Sequence, residues 1–381
     1  MRLVAALVLA AFPILPPTPA FADVTPPAIG PIAFSSFRHG QLDIFTMGAD
    51  GSGVRNLTRD PAPDFQPAWS PDGSAIAFAS LHSDLSHFDQ LFTVDPLTGA
   101  RHELTQIEDG NAQSPAWSSD GSRIAFNVVY GGALDAELFV IDADGTNLVQ
   151  LTDDTSEESS PAWSPDGARI AFVRDGRIET MDPQGTDVAP VTPDSMLAFD
   201  PAWSSDGRLA FVGRGSDKTQ EDLFTIDADG SALYRVTRTR KTEAEPSWSP
   251  RGRWLVYTIT QVHPENDDDL TWVSKIRPNG ASRGRLSAAG SRRDASPDWR
   301  SVPDGVVPLV LAHAVSERAP SALDDIEALV GRLLGDALGL RGDAASGTAG
   351  AEPFLPALRT LHDTGVVLAH LGGELVADRD A

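Results

Sequence analysis

Six tryptophans in one recurring context, four short turn-bounded apolar runs per recurrence, and an incomplete copy at either end predict an all-β chain. The expected architecture is a six-bladed β-propeller of four-stranded blades, closed by pairing of N- and C-terminal strands, with a small α-helical C-terminal extension. The tryptophans lie in Pro67-Ala68-Trp69-Ser70, Pro115-Ala116-Trp117-Ser118, Pro161-Ala162-Trp163-Ser164, Pro201-Ala202-Trp203-Ser204, Pro246-Ser247-Trp248-Ser249 and Pro297-Asp298-Trp299-Arg300. Their spacings of 48, 46, 40, 45 and 51 residues suit one blade each.

The tryptophan segment is the first strand of each unit. A turn follows, as in Ser70-Pro71-Asp72-Gly73, where proline presets the second position, aspartate suits the third and glycine takes the left-handed conformation. The second strand is Ile76-Ala77-Phe78, Ile124-Ala125-Phe126, Ile170-Ala171-Phe172, Leu209-Ala210-Phe211 or Leu255-Val256-Tyr257, and Ile32-Ala33-Phe34 precedes the first tryptophan. The third alternates and ends in a turn, as at 138–145, with counterparts at 44–51, 91–99 and 223–230 and eroded versions at 178–185 and 272–280. The fourth is Leu57-Thr58, Leu104-Thr105, Leu151-Thr152, Val191-Thr192, Val236-Thr237 or Leu286-Ser287. Tandem aspartates before the glycines lack the twelve-residue ligand set of a calcium hand and are assigned to the turns.

Residues 31–58 hold the second, third and fourth strands of a blade, whereas the unit of Trp299 ends near Val302 after its first strand. The two fragments complete each other and leave no open sheet edge. The run Val306 to Leu311 is the alternative continuation, but Pro308 interrupts it.

Arg2, the apolar run Leu3 to Phe12, and Ala20-Phe21-Ala22 before Asp23 have the order of a secretory signal peptide. The rival reading, a buried first strand, is opposed by Pro13, Pro16, Pro17 and Pro19. The expected organisation is therefore a signal peptide at 1–22, a propeller at 23–302 and a partly helical extension with a flexible linker at 303–381. In the extension Leu323, Ile326, Val330, Leu333, Leu334, Ala337 and Leu338 share one helical face, capped by Ser321 and Asp324. A linker containing Gly347 and Gly350 separates it from a second helical stretch at 354–362.

Composition excludes several classes of function. A chain of 381 residues that is 41% hydrophobic and 22% charged is that of a globular protein. Thirty basic against fifty-four acidic residues give a formal charge of −24, which argues against nucleic acid as a partner, and no segment reads as a membrane insertion. The absence of cysteine removes disulfides, thiolate metal sites and thiol nucleophiles.

The succession Pro-Ala-Trp-Ser-Pro-Asp-Gly, Ile-Ala-Phe, Asp-x-Asp-Gly and Leu-Thr resembles the WD40-like (PD40) repeat of TolB-type β-propellers over about residues 28–302. That resemblance implies an extracytoplasmic docking platform for envelope proteins or polymers, in some members with a cation such as calcium in the axial channel. The α/β domain that precedes the propeller in TolB has no counterpart ahead of these repeats, and no partner-binding residue is carried over.

Loops from fourth to first strands and from second to third share one end of such a ring, and here they vary most, at 60–66, 108–113, 153–160, 194–200, 239–245, 81–89 and 262–269. Asp153, Asp154, Glu157, Glu158, Asp200, Glu243 and Glu245 belong to that end. They are expected either to form a solvated rim or to attract a divalent cation or a basic partner. Arg238, Arg240, Lys241, Arg292 and Arg293 form a basic counterpart on the last two blades.

His82, Asp84, His87 and Asp89 are ligand types for zinc at a spacing that matches no zinc signature, and His263 with Asp267, Asp268 and Asp269 is weaker. His102 reads as structural or exposed. Gly280-Ala281-Ser282-Arg283-Gly284 fits the pattern of a hydrolase elbow but not its strand-to-helix setting. The expected function is a secreted, noncatalytic, monomeric propeller that binds a protein or cell-envelope polymer. It has no resident cofactor apart from that channel cation. The alternative is a polysaccharide lyase or hydrolase working in the axial pocket.

Overall fold

The computed structural model describes residues 31–38, 40–59, 61–81, 88–131, 136–215, 221–261, 270–287 and 293–300, and two further strands at 367–371 and 374–378. The expected signal peptide and extension helices lie outside the described residues, as do His82, Asp84, His87, His263, Asp267, Asp268, Asp269 and Arg292.

The described residues form six four-stranded antiparallel sheets. The first blade is β4 (Asp64–Trp69), β5 (Ile76–Leu81), β6 (Asp89–Val94) and β7 (Arg101–Glu103). The second is β8 (Gly110–Trp117), β9 (Arg123–Tyr130), β10 (Ala136–Asp142) and β11 (Val149–Gln150), and the third β12 (Glu158–Trp163), β13 (Ile170–Arg174), β14 (Arg177–Met181) and β15 (Ala189–Pro190). The fourth is β16 (Met196–Trp203), β17 (Arg208–Gly215), β18 (Asp222–Asp227) and β19 (Tyr234–Arg235), and the fifth β20 (Thr242–Trp248), β21 (Leu255–Gln261), β22 (Leu270–Ile276) and β23 (Gly284–Arg285).

The sixth blade closes the ring as the sequence predicts. Its order is β24 (Asp294–Trp299), β1 (Ile32–Ser36), β2 (Asp43–Met47) and β3 (Arg55–Asn56), with Ile32 opposite Trp299 and Ser36 opposite Asp294. The second-strand position of the sixth blade is therefore filled by β1. The tryptophan strands are innermost, and β24 touches the inner strands of both the fifth and first blades. Two short strands further on, β25 (Val367–Leu371) and β26 (Glu374–Asp378), pair as an antiparallel hairpin that the sequence reading did not anticipate.

Each sheet is covered on both faces by its neighbours, so the second strands are buried throughout, as in Ile76, Ala77, Phe78 and Ala79. Phenylalanines opposite one another on second and third strands pack ring against ring, at 6.0 Å for Phe78 and Phe92 and 5.5 Å for Phe211 and Phe224.

The Leu-Thr motif owes its recurrence to a hydrogen bond. The hydroxyls of Thr58, Thr105, Thr152, Thr192, Thr237 and Ser287 accept the backbone N–H of Ile44, Leu91, Leu138, Ile178, Leu223 and Val273, at 2.8 to 3.1 Å. Each fourth strand thus secures the start of its third. Thr152→Val leaves the buried Leu138 N–H without its acceptor and is expected to cost about 1–3 kcal/mol, measured by denaturant unfolding.

The turn glycines join neighbouring blades. Gly185 has φ +81°, and a Cβ there would lie 2.6 Å from the Leu151 carbonyl oxygen in the preceding blade. Gly230 stands in the same relation to Val191, at 3.0 Å. A side chain at these positions would pry the blades apart, as well as paying the left-handed backbone penalty.

Candidate functional site: the axial channel

The six inner strands surround a cavity of about 490 Å³. Each strand bulges just before its proline, between Phe65 and Ala68 in the first blade and equivalently in the others. The residue preceding the proline adopts a left-handed conformation in all six, with φ of 49° to 54° at Gln66, Ser114, Ser160, Asp200, Glu245 and Ser296. That conformation strains a residue bearing Cβ. Here it places a ring of polar residues along the channel.

These residues link blade to blade. Gln66 Oε1 accepts the N–H of Ser114 at 2.9 Å, Asp200 Oδ2 that of Glu245 at 3.1 Å, and Glu245 Oε2 that of Ser296 at 2.7 Å. Ser296 Oγ also donates to Glu245 Oε1 at 2.7 Å. Burial and the neighbouring Glu245 carboxylate push Asp200 up to about 6.

Sequence reasoning missed the third channel carboxylate, Asp298. It occupies the position held by Ala68, Ala116, Ala162, Ala202 and Ser247 in the other blades. Its oxygens accept the Trp69 N–H at 2.7 Å and the Ser247 hydroxyl at 2.9 Å, so one side chain of the sixth blade ties together the first and fifth. Burial raises its pKa. The signal was present in the sequence, because Pro297-Asp298-Trp299 departs from the repeat at this residue.

The seven acids expected at the variable end are divided among three environments. Asp153, Asp154 and Glu157 are exposed on the loop leading into the third blade. Asp200 and Glu245 line the channel. Glu158 and Glu243 are fully buried. Glu158 accepts from Arg174 Nε at 2.7 Å, and Arg174 also reaches Glu179 at 3.3 Å and Asp154 at 3.4 Å. Burial outweighs that pairing and pushes Glu158 up to about 7. Glu243 accepts from Thr239 at 2.6 Å and Thr237 at 3.1 Å with Arg283 at 3.4 Å, and burial likewise raises its pKa.

Of the basic residues, Arg238 and Arg240 are exposed, Lys241 sits 4.3 Å from the Trp272 ring centre, and Arg293 lies over Phe37. His102 is exposed, with Nε2 3.5 Å from the Asp144 carbonyl oxygen. The turn aspartates serve folding: Ser118 and Ser122 hydrogen-bond to Asp120 and hold its carboxyl down to about 2.

The channel lining carries Asp200, Glu245 and Asp298 on three successive blades and, among the described residues, includes no Arg, Lys or His. Among the described residues no three His, Asp or Glu side chains are grouped as ligands for a metal ion. The channel carboxylates instead hold backbone N–H and hydroxyl groups of adjoining blades, and the electronegative lumen that remains suits a cationic group.

Fold and channel define a closed six-bladed β-propeller with an acidic axis. The PD40 family, described as the TolB beta propeller domain, matches residues 86–302, and the chain belongs to it. TolB from Acinetobacter baumannii is similar in structure, with a TM-score of 0.61 and 22% identity over 71% of this chain and 66% of that one. The match therefore spans just under two thirds of that protein's length. A putative TolB from Agrobacterium tumefaciens has a TM-score of 0.53 and 20% identity, covering 67% of this chain and 87% of that chain. An oligogalacturonate lyase from Vibrio parahaemolyticus has a TM-score of 0.50 and 15% identity, covering 68% and 74%. At these identities the likeness is one of fold. No curated protein matches the chain.

Proposed function

We propose that this chain is a noncatalytic propeller, exported by residues 1–22, that binds a basic segment of a protein partner across its variable-loop end. The observation that carries this reading is the distribution of charge. Asp153, Asp154 and Glu157 are exposed on the loop entering the third blade, and the channel beyond holds three carboxylates with no basic lining residue among the described residues. Opposite charge steers such an encounter and sets its salt dependence. Membership of the TolB propeller family supports a binding role outside the cytoplasm.

Immobilised full-length protein, offered a native culture fraction, should capture a partner that elutes with salt. The Asp153→Asn, Asp154→Asn, Glu157→Gln variant should bind it about tenfold more weakly, a loss typical of a few rim charges. Equal capture by the variant rejects the acidic rim, and capture of a polymer in place of a protein rejects the partner class.

A further inference from the structure

The fifth blade departs from the first four in both of its hairpin turns. Where the first three blades have Asp72, Asp120 and Asp166 in the turn between first and second strands, the fifth has Arg251. Two residues on, Ser74, Ser122 and Ala168 are replaced by Arg253. At the turn after the third strand, Asp95, Asp142, Asp182 and Asp227 are replaced by Arg277.

Those aspartates stabilise their turns: Asp72 accepts from the Ser70 and Ser74 hydroxyls and the Ser74 N–H, and Asp182 from the Gln184 and Thr186 N–H groups. The fifth blade gives up those bonds in exchange for positive charge, in a chain whose net charge is −24. A local folding rule broken at two turns of one blade points to a role other than stabilising those turns.

Arg253 and Arg277 enter one cleft. Together with Arg208 of the fourth blade they line a cavity of about 470 Å³ between the fourth and fifth blades, on the hairpin end of the ring opposite the variable loops. The size is that of a small-molecule site. Asp206 pairs with Arg208 at 3.0 Å, and Asp227 also lines the cleft. Arg253 and Arg277 have no carboxylate within ion-pair distance among the described residues.

One wall is Tyr234, 46% exposed, whose hydroxyl donates to the Asn279 carbonyl oxygen at 3.2 Å and so holds the ring in place. Arg277 is itself stacked over the Trp254 ring, 5.0 Å from its centre. Guanidinium forks match the two oxygens of a carboxylate or phosphate, and a fixed aromatic face next to them offers a flat apolar surface of about one sugar ring.

We propose that the cleft formed by Arg208, Arg253, Arg277 and Tyr234 binds an acidic sugar, its carboxylate or phosphate on the arginines and its ring on Tyr234. The site is separate from the acidic rim and does not depend on that reading.

The test is calorimetric titration of the full-length protein at low salt with galacturonate, glucuronate, glucose 6-phosphate, galactose, inorganic phosphate and hexaglutamate. At least one acidic sugar should bind saturably, and the uronates and sugar phosphate together show which acid group is preferred. Arg253→Ser with Arg277→Asp, which restores residues that other blades carry, should weaken that binding by about tenfold or more with an unchanged melting temperature. Tyr234→Ala should weaken the acidic sugar and leave inorganic phosphate unaffected.

The proposal fails if no acidic sugar binds, or if galactose, inorganic phosphate or hexaglutamate binds as tightly as the best acidic sugar. It fails equally if the double variant keeps its affinity.

Discussion

Replacing Trp299 by alanine is expected to cost about 3–5 kcal/mol of unfolding free energy, the range for deleting a buried aromatic side chain. Trp299 is 7% exposed and packs with Ile32, Phe34, Phe45 and Met47 of its own blade and with Val256, Val273 and Leu286 of the fifth. Its strand, β24, is joined to β1 noncovalently, by ladder hydrogen bonds and side-chain packing across a sequence separation of more than 250 residues. The other blades are each continuous in sequence, so a loss here opens the ring at its joint. Amide exchange should accelerate first in β1 to β3 while β8 to β10 remain protected. A cost below about 1 kcal/mol with unchanged protection of β1 would mean that the joint is not the weak point of the ring.

The second large effect concerns Arg174. Changing it to methionine leaves Glu158 fully buried without its cation and is expected to cost about 3–5 kcal/mol near pH 8. The pH dependence has a definite sign. Glu158 is already raised to about 7, so the native state holds a proton that the unfolded chain has released between the ordinary glutamate value and about 7. Stability is therefore greater on the acid side of that window and falls as pH rises through 7.

Asp64 and Asp200, each pushed up to about 6 chiefly by burial, act in the same direction. Without Arg174 the Glu158 carboxyl rises further, so the deficit of the variant should shrink markedly between about pH 8 and pH 5.5. Thermal unfolding at both values measures it, with Glu158→Gln as the variant whose pH dependence is flattened. An equal deficit at both values would mean that Glu158 is not the group left stranded.

The fold was legible because the repeat wrote the same constraints six times. The turn chemistry of Ser70 to Gly73, the apolar second strands and the two end fragments need only local propensity and counting, and that arithmetic led to the pairing of Ile32 with Trp299. The purpose of the Leu-Thr motif was not legible, because the acceptor role of Thr152 toward Leu138 depends on which strands are neighbours. The glycine at 185 was legible as a turn residue, but its close approach to Leu151 in another blade was not.

For the site, the sequence determined which residue types lie at the variable end and that acid outweighs base there. Tertiary structure decided where each of them points. A single bulge before each proline turns Asp200 and Glu245 into the channel, whereas three residues before the proline Glu158 and Glu243 are sealed between blades. Sequence adjacency cannot separate these outcomes. In a bulged strand one step along the chain redirects a side chain, and whether a carboxylate meets water, an arginine or the next blade's N–H is settled by the packing of the ring.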